Sequence, residues 1–411
     1  MPIALIQLIS EQTMQNLVPV LALKPAKVLH LATPKTTARS ANIVEGARQA
    51  GVTTAVENIR LTEMPSIPET SRAVLRAIES ARAEELTPVV NFTGGTKLMS
   101  IGAYEAAMRE QIVSLYVDTD RQQFLDGHSG PKLNTVLGDD FSFTSLHQAL
   151  TVNAIAVANG RQRVTGGRAW QPFLSLVGHF LRSAADEKSA WETVHGPHGV
   201  CPNGREPRRA GDWLTLLGRP LPLPSHVGEL ALESGLLRAD GAKLLLPDST
   251  RATLEELARA ERPAAADSFA AVRPLQFTLA FLSGAWWEVA VFEAAHRSGQ
   301  FRDLRWSVNV GERQGGFDPE EDIVGVDGVQ IAFFSCKRGG ARARLVPLLD
   351  ELDNRARSLG GHFTRRFLAI FQPPFGQNAA NLQKRAKELS GIQIVTPLDL
   401  ENLEVFARKN R

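Results

Sequence analysis

Three acidic side chains at alternate positions, Asp318, Glu320 and Asp322, lead into an Asp327-Gly328 dipeptide, and Lys337 closes the apolar run that follows. Asp-Gly between two such runs predicts a β-hairpin. With Asp327 and Gly328 as the central turn residues, Asp322 faces Phe333, Glu320 faces Ser335 and Asp318 faces Lys337. Paired residues share a face, as do residues two apart. One face then carries Asp318, Glu320, Asp322, Ser335 and Lys337, and the other Ile323, Gly325, Gln330, Ala332 and Phe334. Carboxylates beside a lysine suit a specific chemistry. Their oxygens hold Mg²⁺ or Mn²⁺. The ion acidifies a bound water and offsets charge building on a phosphate under attack. The lysine orients that water or helps to deprotonate it. A solvated edge hairpin of mixed charge is the plainer reading of the same residues.

A further carboxylate precedes the hairpin. In the helical stretch around Gly284-Ala285-Trp286-Trp287-Glu288, the residues three and four positions from Glu288 are Gly284, Ala285, Val291 and Phe292. Glu288 therefore lies on an apolar face. A carboxylate buried there needs a partner, and a metal ion is one. The other reading is a place at the edge of that face, reaching solvent.

Near the N-terminus, Thr93-Gly94-Gly95-Thr96-Lys97 stands between an apolar strand and a helix. Glycines let backbone approach a ligand, and a helix start offers free N–H groups and partial positive charge. With Thr93, Thr96 and Lys97 the loop suits a phosphate; it also reads as a tight turn with a capping threonine. It is neither a Walker A loop, since Leu98 follows Lys97, nor the Gly-x-Gly-x-x-Gly dinucleotide fingerprint.

The elements that position these groups alternate. Strands are expected at 2–9, 27–32, 53–61, 88–92 and 112–117, and helices at 12–23, 38–50, 68–85 and 96–111, with a closing hairpin in 124–143. Such alternation predicts an α/β fold, a parallel sheet with helices on both faces. Ligands bind such sheets beyond the C-terminal strand ends. Ser10, Gln12, Thr33, Lys35, Thr36, Asp118 and Thr119 converge there with Thr93, Gly94, Gly95, Thr96 and Lys97.

The middle has a different texture. Helices are expected at 173–183, 189–194 and 224–234, a loop at 195–224 and a hairpin at 236–247, a winged-helix outline, with a linker at 258–267. The last part restarts as α/β: a helix at 276–298, the hairpin, helices at 345–359 and 378–389, and strands at 367–371 and 393–395.

A chain of 411 residues exceeds one average domain. Its net charge of only +2 provides no global field for nucleic acid, so any such contact must be local. Cys201 and Cys336 cannot form a disulfide framework, and a reducing cytoplasm fits. No leader peptide is expected, and the charge-free stretch 274–287 falls short of the about 20 residues that cross a bilayer, so no membrane association is expected.

In order along the chain, these residues resemble a known family. Thr93 to Lys97 after an apolar strand resembles the ligand loop of CRISPR-associated Rossmann-fold (CARF) sensors. Residues 284–292, Glu320-Glu321-Asp322-Ile323 and Ser335-Cys336-Lys337 resemble the PD-(D/E)xK nuclease, a restriction-endonuclease-like domain fused to such sensors in type III CRISPR defence. The resemblance spans roughly 1–145 and 275–411. It implies a sensor domain at 1–150, a connecting helical or winged-helix-like segment at 151–268 and a nuclease domain at 269–411. It further implies a cytoplasmic homodimer that binds a cyclic oligoadenylate, usually cyclic tetra-adenylate, and then cleaves DNA, RNA or both with Mn²⁺ or Mg²⁺. Glu288 and Asp322 would be metal ligands with the Cys336 backbone carbonyl, Lys337 the catalytic lysine and Glu320 a supporting acid. One departure stands out: Ser335 occupies the place of the usual acid two before the lysine, and Glu320 is expected to compensate across the hairpin.

Two other classes compete. A sensor-fused transcription regulator would use the winged helix and need no metal. Arg357-Ser358-Leu359-Gly360-Gly361-His362 spells an Arg-x4-His ribonuclease motif, but that motif needs a helix and Gly360-Gly361 ends one. His195, His198 and Cys201 have zinc-like spacing without a fourth ligand and are expected to be a loop.

Overall fold

The computed structural model describes residues 2–118, 123–127, 155–162, 171–202, 210–249, 251–259, 266–312, 317–328, 330–339, 345–361, 364–389 and 391–403. Strands β1 (Ile3–Leu8), β2 (Lys27–Ala32), β3 (Ala55–Arg60), β4 (Thr87–Asn91), β5 (Val113–Asp118) and β6 (Gln123–Asp126) form one sheet in the order β3-β2-β1-β4-β5-β6. β1 to β5 pair in parallel and β6 is antiparallel to β5. Helices α1 (Met14–Leu23), α2 (Thr37–Gln49), α3 (Ile67–Ala83) and α4 (Lys97–Arg109) alternate with the strands. β1, β2 and β4 read as apolar runs because both faces are covered: Leu5 and Val89 join one core, Ile6 and Val90 another. The alternation, the parallel sheet and the covered faces follow the sequence expectation.

The second sheet has the order β14-β13-β12-β11-β10-β7. It comprises β7 (Ile155–Gln162), β10 (Arg302–Glu312), β11 (Phe317–Asp327), β12 (Gln330–Gly339), β13 (Thr364–Gln372) and β14 (Gln393–Val395). β7, β10, β11 and β12 pair antiparallel, and β12, β13 and β14 in parallel. Between β7 and β10 in the chain lie α5 (Gln171–Arg182), α6 (Ala184–His195), α7 (Ala210–Leu217) and α8 (Ser225–Glu233). The hairpin β8 (Arg238–Asp240) and β9 (Lys243–Leu245) follows, then α9 (Arg251–Arg259) and α10 (Ala266–Ala280). The helix-then-hairpin outline is present. α7 lies inside the stretch expected to be a loop, α9 reaches into the expected linker, and β7 and β10 were not anticipated. β7 also makes 151–268 more than a connector, since it is an edge strand of the second sheet.

Helix α11 (Trp286–Arg297) covers one face of this sheet and α12 (Leu345–Gly360) the other. Trp286 and Trp287 share a core with Ile323, Ala332, Phe334 and Ala369. Leu349, Leu352 and Ala356 share one with Val324, Phe333 and Leu368. α13 (Gly376–Glu388) packs on α12. The run from Pro274 to Arg297 is long and apolar enough to cross a membrane, yet mostly buried, as in a core helix. It is not one helix: a π-type turn over Phe281–Ala285 separates α10 from α11.

Two local expectations need correction. The β11–β12 ladder pairs Asp327 with Gln330 and Ile323 with Phe334, two residues out of the expected register. Gly328, at φ 59°, begins the turn, while Asp327 stays in the strand because its buried carboxylate binds Arg365 and Gln300. A slip of two preserves which face each side chain takes, because strand side chains alternate with period two. The β8–β9 turn is displaced in the same way, with Asp240 paired to Lys243 and Gly241 at φ 59°. The Arg357 motif is interrupted as expected: α12 stops at Gly360 and Gly361 has φ 73°. Its His362 lies outside the described residues.

Close approach of β4's loop to β1 explains Gly94. A Cβ there would sit 2.1 Å from the Leu8 carbonyl oxygen. Gly94→Ala should therefore lower stability by about 1–3 kcal/mol. In thermal unfolding that corresponds to a Tm loss of several degrees; an unchanged Tm would mean that the loop is not seated on β1.

Candidate functional sites

The first site begins where β1 and β4 lie side by side but their connections run to opposite sides, the switch point of the sheet. Ser10 and Gln12 follow β1, and the loop from Thr93 to Lys97 follows β4. Most of the side chains expected to meet a ligand are engaged internally. Thr93 Oγ1 donates to Asn91 Oδ1 at 2.6 Å and accepts from the Val117 N–H at 2.7 Å. Thr96 caps α4 by accepting from the Met99 N–H. Ser10 Oγ accepts from the Gln12 N–H and from Gln15 Nε2. Thr33 and Thr36 are buried and bonded to each other. Lys35 pairs with Glu11 at 2.7 Å, and this lysine holds the Glu11 carboxyl below its ordinary range. Lys97 differs: it is exposed at the first position of α4 and makes no ion pair or hydrogen bond among the described residues. Gly95, at φ 76°, turns the chain into that helix. Asp118 ends β5 as expected; Thr119 lies outside the described residues.

Beneath the loop runs a polar row that sequence reading missed, buried at Asn91, Gln7 and His30 and exposed at Asn58. Asn91, Gln7, His30 and Asn58 are register neighbours on β4, β1, β2 and β3. Thr93 donates to Asn91, Asn91 Nδ2 reaches Gln7 Oε1 at 3.4 Å, and Gln7 Nε2 lies 2.9 Å from His30 Nε2. His30 Nδ1 lies 2.6 Å from Ser40 Oγ, which donates to Asn58 Oδ1. Burial pushes the His30 imidazole down to about 4. His30 is thus neutral: Nε2 accepts from Gln7 and Nδ1 donates to Ser40. Asn58 and Arg60 then line a cavity of about 420 Å³ with Ala32, Pro34 and Thr37. One polar residue per strand at a common level was the available signal.

The second site depends on a change of face within β10 and β11. Trp306 pairs with Ile323 and Val308 with Glu321. Trp306 and Ile323 lie in the α11-side core. Val308 lies in the α12-side core, and Glu321 is held by Arg355 of α12. Strict alternation would place both pairs on one side. The sense reverses at the intervening step, Ser307 and Asp322, where Ser307 has φ 56°. The β11–β12 ladder ends at Ile323, one residue short of Asp322. The Asp322 carboxylate takes up the slack: Oδ2 accepts from the Cys336 N–H at 2.6 Å and from Lys337 Nζ at 3.4 Å.

Glu288 comes from the other side, two residues into α11 after the 281–285 turn. Its Oε2 accepts from Trp306 Nε1 at 2.7 Å. Its carboxyl is pushed up to about 8, first by burial, then by the neighbouring Asp322 and Glu320 charges, against the Trp306 bond and Lys337. Glu320 itself is exposed and accepts from the Ser307 hydroxyl. Glu288, Glu320, Asp322 and Lys337 are therefore electrostatic neighbours. Ser335 carries no charge to add to this group. It pairs with Leu368 as Lys337 pairs with Ile370, both partners in the α12-side core, so Ser335 and Lys337 share a face of β12. No hydrogen bond or ion pair joins Ser335 to the four among the described residues. In the observed ladder Ser335 stands next beyond the Ile323–Phe334 pair, toward Asp322 rather than Glu320, so the expected Glu320–Ser335 pairing is overturned. Asp318 is in β11, but its side chain lies outside the described residues.

Three carboxylates against one lysine form a donor set suited to an oxygen-preferring divalent ion. No three His, Cys, Asp or Glu side chains form a ready-made metal cage among the described residues, so the arrangement is an open cluster. The zinc-like trio resolves into a turn, with the Cys201 N–H donating to the Val194 carbonyl and His195 Nδ1 3.3 Å from the Cys201 carbonyl.

Residues 4–133 match the family described as the Card1 CARF domain. Curated protein sequences give no match. Among solved structures, the fold is similar over 99% of this chain and 97% of the other to protein VC1899 from Vibrio cholerae, with TM-score 0.69 and 14% identity. It is similar over 98% of both chains to Can2 from Sulfobacillus thermosulfidooxidans, determined in complex with cyclic tetra-adenylate, with TM-score 0.66 and 18% identity. A type III CRISPR defence DNA nuclease activated by cyclic oligoadenylate matches with TM-score 0.52 and 17% identity, over 92% of this chain but 47% of that one. These likenesses establish the fold: an N-terminal Rossmann-like sheet of the CARF type, with helices and a further α/β sheet after it.

The raised Glu288 carboxyl carries a sign that thermal unfolding can read. Below the ordinary value of 4.5 both folded and unfolded chains hold the proton. As pH rises from 4.5 to about 8 the unfolded chain releases it and the folded chain keeps it, so stability falls, and above 8 the full cost is present. Without divalent metal, Glu288→Gln should gain over wild type across that window, by on the order of 1–3 kcal/mol at pH 8.5, or several degrees in Tm. A Tm difference independent of pH between 5.5 and 8.5 would show that Glu288 is not charged at a cost.

Proposed function

We propose that the chain is a homodimeric nuclease of type III CRISPR defence, switched on by a cyclic oligoadenylate, with cyclic tetra-adenylate the first candidate, and dependent on Mn²⁺ or Mg²⁺. The observation that carries the reading is the grouping of Glu288 of α11, Glu320 and Asp322 of β11 and Lys337 of β12, with Trp306 bonded to Glu288 and Lys337 to Asp322. The N-terminal match and the overall likeness to a cyclic tetra-adenylate complex support the activator half. An uncapped cation at a helix start, Lys97, beside a sheet switch point suits a phosphodiester ring.

Glu288 and Asp322 would hold the ion, with the Cys336 carbonyl and Glu320 in support. When bound there, the ion supplies Lewis acidity toward a phosphodiester and a more acidic water. The chain's own contribution is arrangement. Trp306 aims the Glu288 carboxylate, the Cys336 N–H pins Asp322, and Asp322 restrains the Lys337 ammonium, which orients the attacking water and offsets charge on the phosphate. The acid that compensates for Ser335 is Glu320, brought in by the face reversal at Ser307.

A regulator that binds nucleic acid through α7, α8 and the β8–β9 hairpin is the second reading, favoured by that helix-hairpin outline. Mn²⁺-dependent cleavage of plasmid or single strands, with and without cyclic tetra-adenylate, separates the two.

Lys97→Ala should weaken activator binding by roughly 10- to 150-fold, the worth of one charge-assisted contact, with the fold intact. Calorimetry returning wild-type affinity would remove Lys97 from the site.

Asp322→Ala should abolish cleavage and leave activator affinity unchanged. Glu320→Ala should also lose most activity, and adding Ser335→Glu should partly restore it, because position 335 shares the face of Lys337 and stands beside Asp322. A double variant no more active than Glu320→Ala would take position 335 out of reach of the ion.

A further inference from the structure

Helix α6 (Ala184–His195) touches both halves of the proposed cleavage site. Glu187, on its first turn, is fully buried, and Arg338 of β12 grips it with two bonds, Nε to Oε1 at 2.6 Å and Nη2 to Oε2 at 2.8 Å. Gln372 of β13, in register beside Gly339, reaches the same carboxylate at 3.4 Å. One turn later Trp191 lies under the Arg338 guanidinium, 5.0 Å from ring centroid to Cζ. The same helix packs against the 281–285 turn that leads into Trp286, Trp287 and Glu288. Trp287 in turn donates its indole N–H to the Ala369 carbonyl of β13 at 3.0 Å.

Arg338 is the residue after Lys337. In an extended strand, fixing the direction of one side chain fixes the opposite direction of its neighbour. A bidentate guanidinium–carboxylate pair stacked on an indole is among the most orienting contacts available to a side chain. It holds both distance and plane, which a lysine cannot do.

We propose that α6 is a positioning brace. Through Glu187 and Trp191 it sets the twist of β12 at Arg338, and so the aim of Lys337; through the 281–285 turn it sets the entry of Glu288. The proposal rests on the cleavage reading above. It assigns to the middle of the chain a part in the chemistry, with Glu187, Trp191 and Arg338 as positioning residues rather than catalytic ones.

The test uses the full chain with saturating cyclic tetra-adenylate and Mn²⁺, comparing wild type with Glu187→Gln, Arg338→Lys and Trp191→Leu. Cleavage kinetics and amide hydrogen exchange over 330–339 are both measured. The expected result is a kcat lower by roughly 10- to 100-fold, the cost of sub-ångström to ångström misplacement, with KM and activator affinity held and exchange at Cys336 and Lys337 faster. Trp191→Leu buries no unpaired charge, so it carries the comparison if a charge variant does not fold. Wild-type kcat and exchange in the folded variants would overturn the brace alone. Parallel losses in Tm, KM and activator affinity would mean general destabilisation and also overturn it. A wild type that never cleaves would overturn the nuclease reading, and exchange at 330–339 would still report whether α6 holds the strand.

Discussion

The C-terminal half is organised around one electrostatic conflict: Glu288 is brought from an apolar helix into a partly buried place beside two further carboxylates and a single lysine. Each neighbouring irregularity makes sense as a way of reaching or relieving that point. The π-type turn at 281–285 presents Glu288 early in α11 instead of continuing the long apolar helix into the core, and such turns recur at functional positions. The reversal of face at Ser307 and Asp322 carries Glu320 toward the α11 side while Glu321 goes to Arg355. Trp306 and the Cys336 N–H supply neutral donors that fix two carboxylates without cancelling their charge. An arrangement meant only for stability would have replaced the carboxyls or paired each with an arginine, as β13 does for Asp327 of β11 and Asp353 of α12.

The N-terminal sheet divides its polar groups differently. Asn91, Gln7 and His30 are buried and satisfy one another from strand to strand, and the row ends at Thr93 on one side and, through Ser40, at exposed Asn58 on the other. Buried polar groups are costly unless bonded, and a bonded row fixes the relative heights of the strands. That fixes the height of the 93–97 loop as well. The threonines hold the loop in place, and Lys97 at its tip is left to solvent. The division explains how several threonines near a sheet switch point are scaffold while one lysine is the candidate contact.

The middle of the chain belongs to neither half by sequence texture but is continuous with the second in packing. Phe180, Val194, Trp213 and Leu237 share a core with Trp286, Phe334 and Ala369, and β7 forms the sheet edge beside β10. A segment that looks like a spacer thus reaches, through α6, the Arg338 neighbour of Lys337 and the turn that leads into Glu288.

Alternating periodicity and turn residues determined the first sheet almost strand for strand. Its strands are local apolar runs between Gly, Pro and Thr signals, and parallel connection leaves little topological freedom. The candidate residues Glu288, Asp322, Lys337 and Lys97 stood out for a similar reason: a charge ending or interrupting an apolar run is conspicuous. Only the tertiary structure decided which of them meet. Asp-Gly announces a turn but does not say which residue leads it, and the buried pairing of Asp327 with Arg365, distant in sequence, moved the register by two. Alternation preserves faces through such a slip, yet no local rule foretells the reversal at Ser307, which brings Glu320 to the side of Glu288. β10, β7 and the Glu187–Arg338 pair were hidden for the same reason. A strand or an ion pair whose partner lies far away in the chain is stabilised by that partner, and its own residues carry little trace of it.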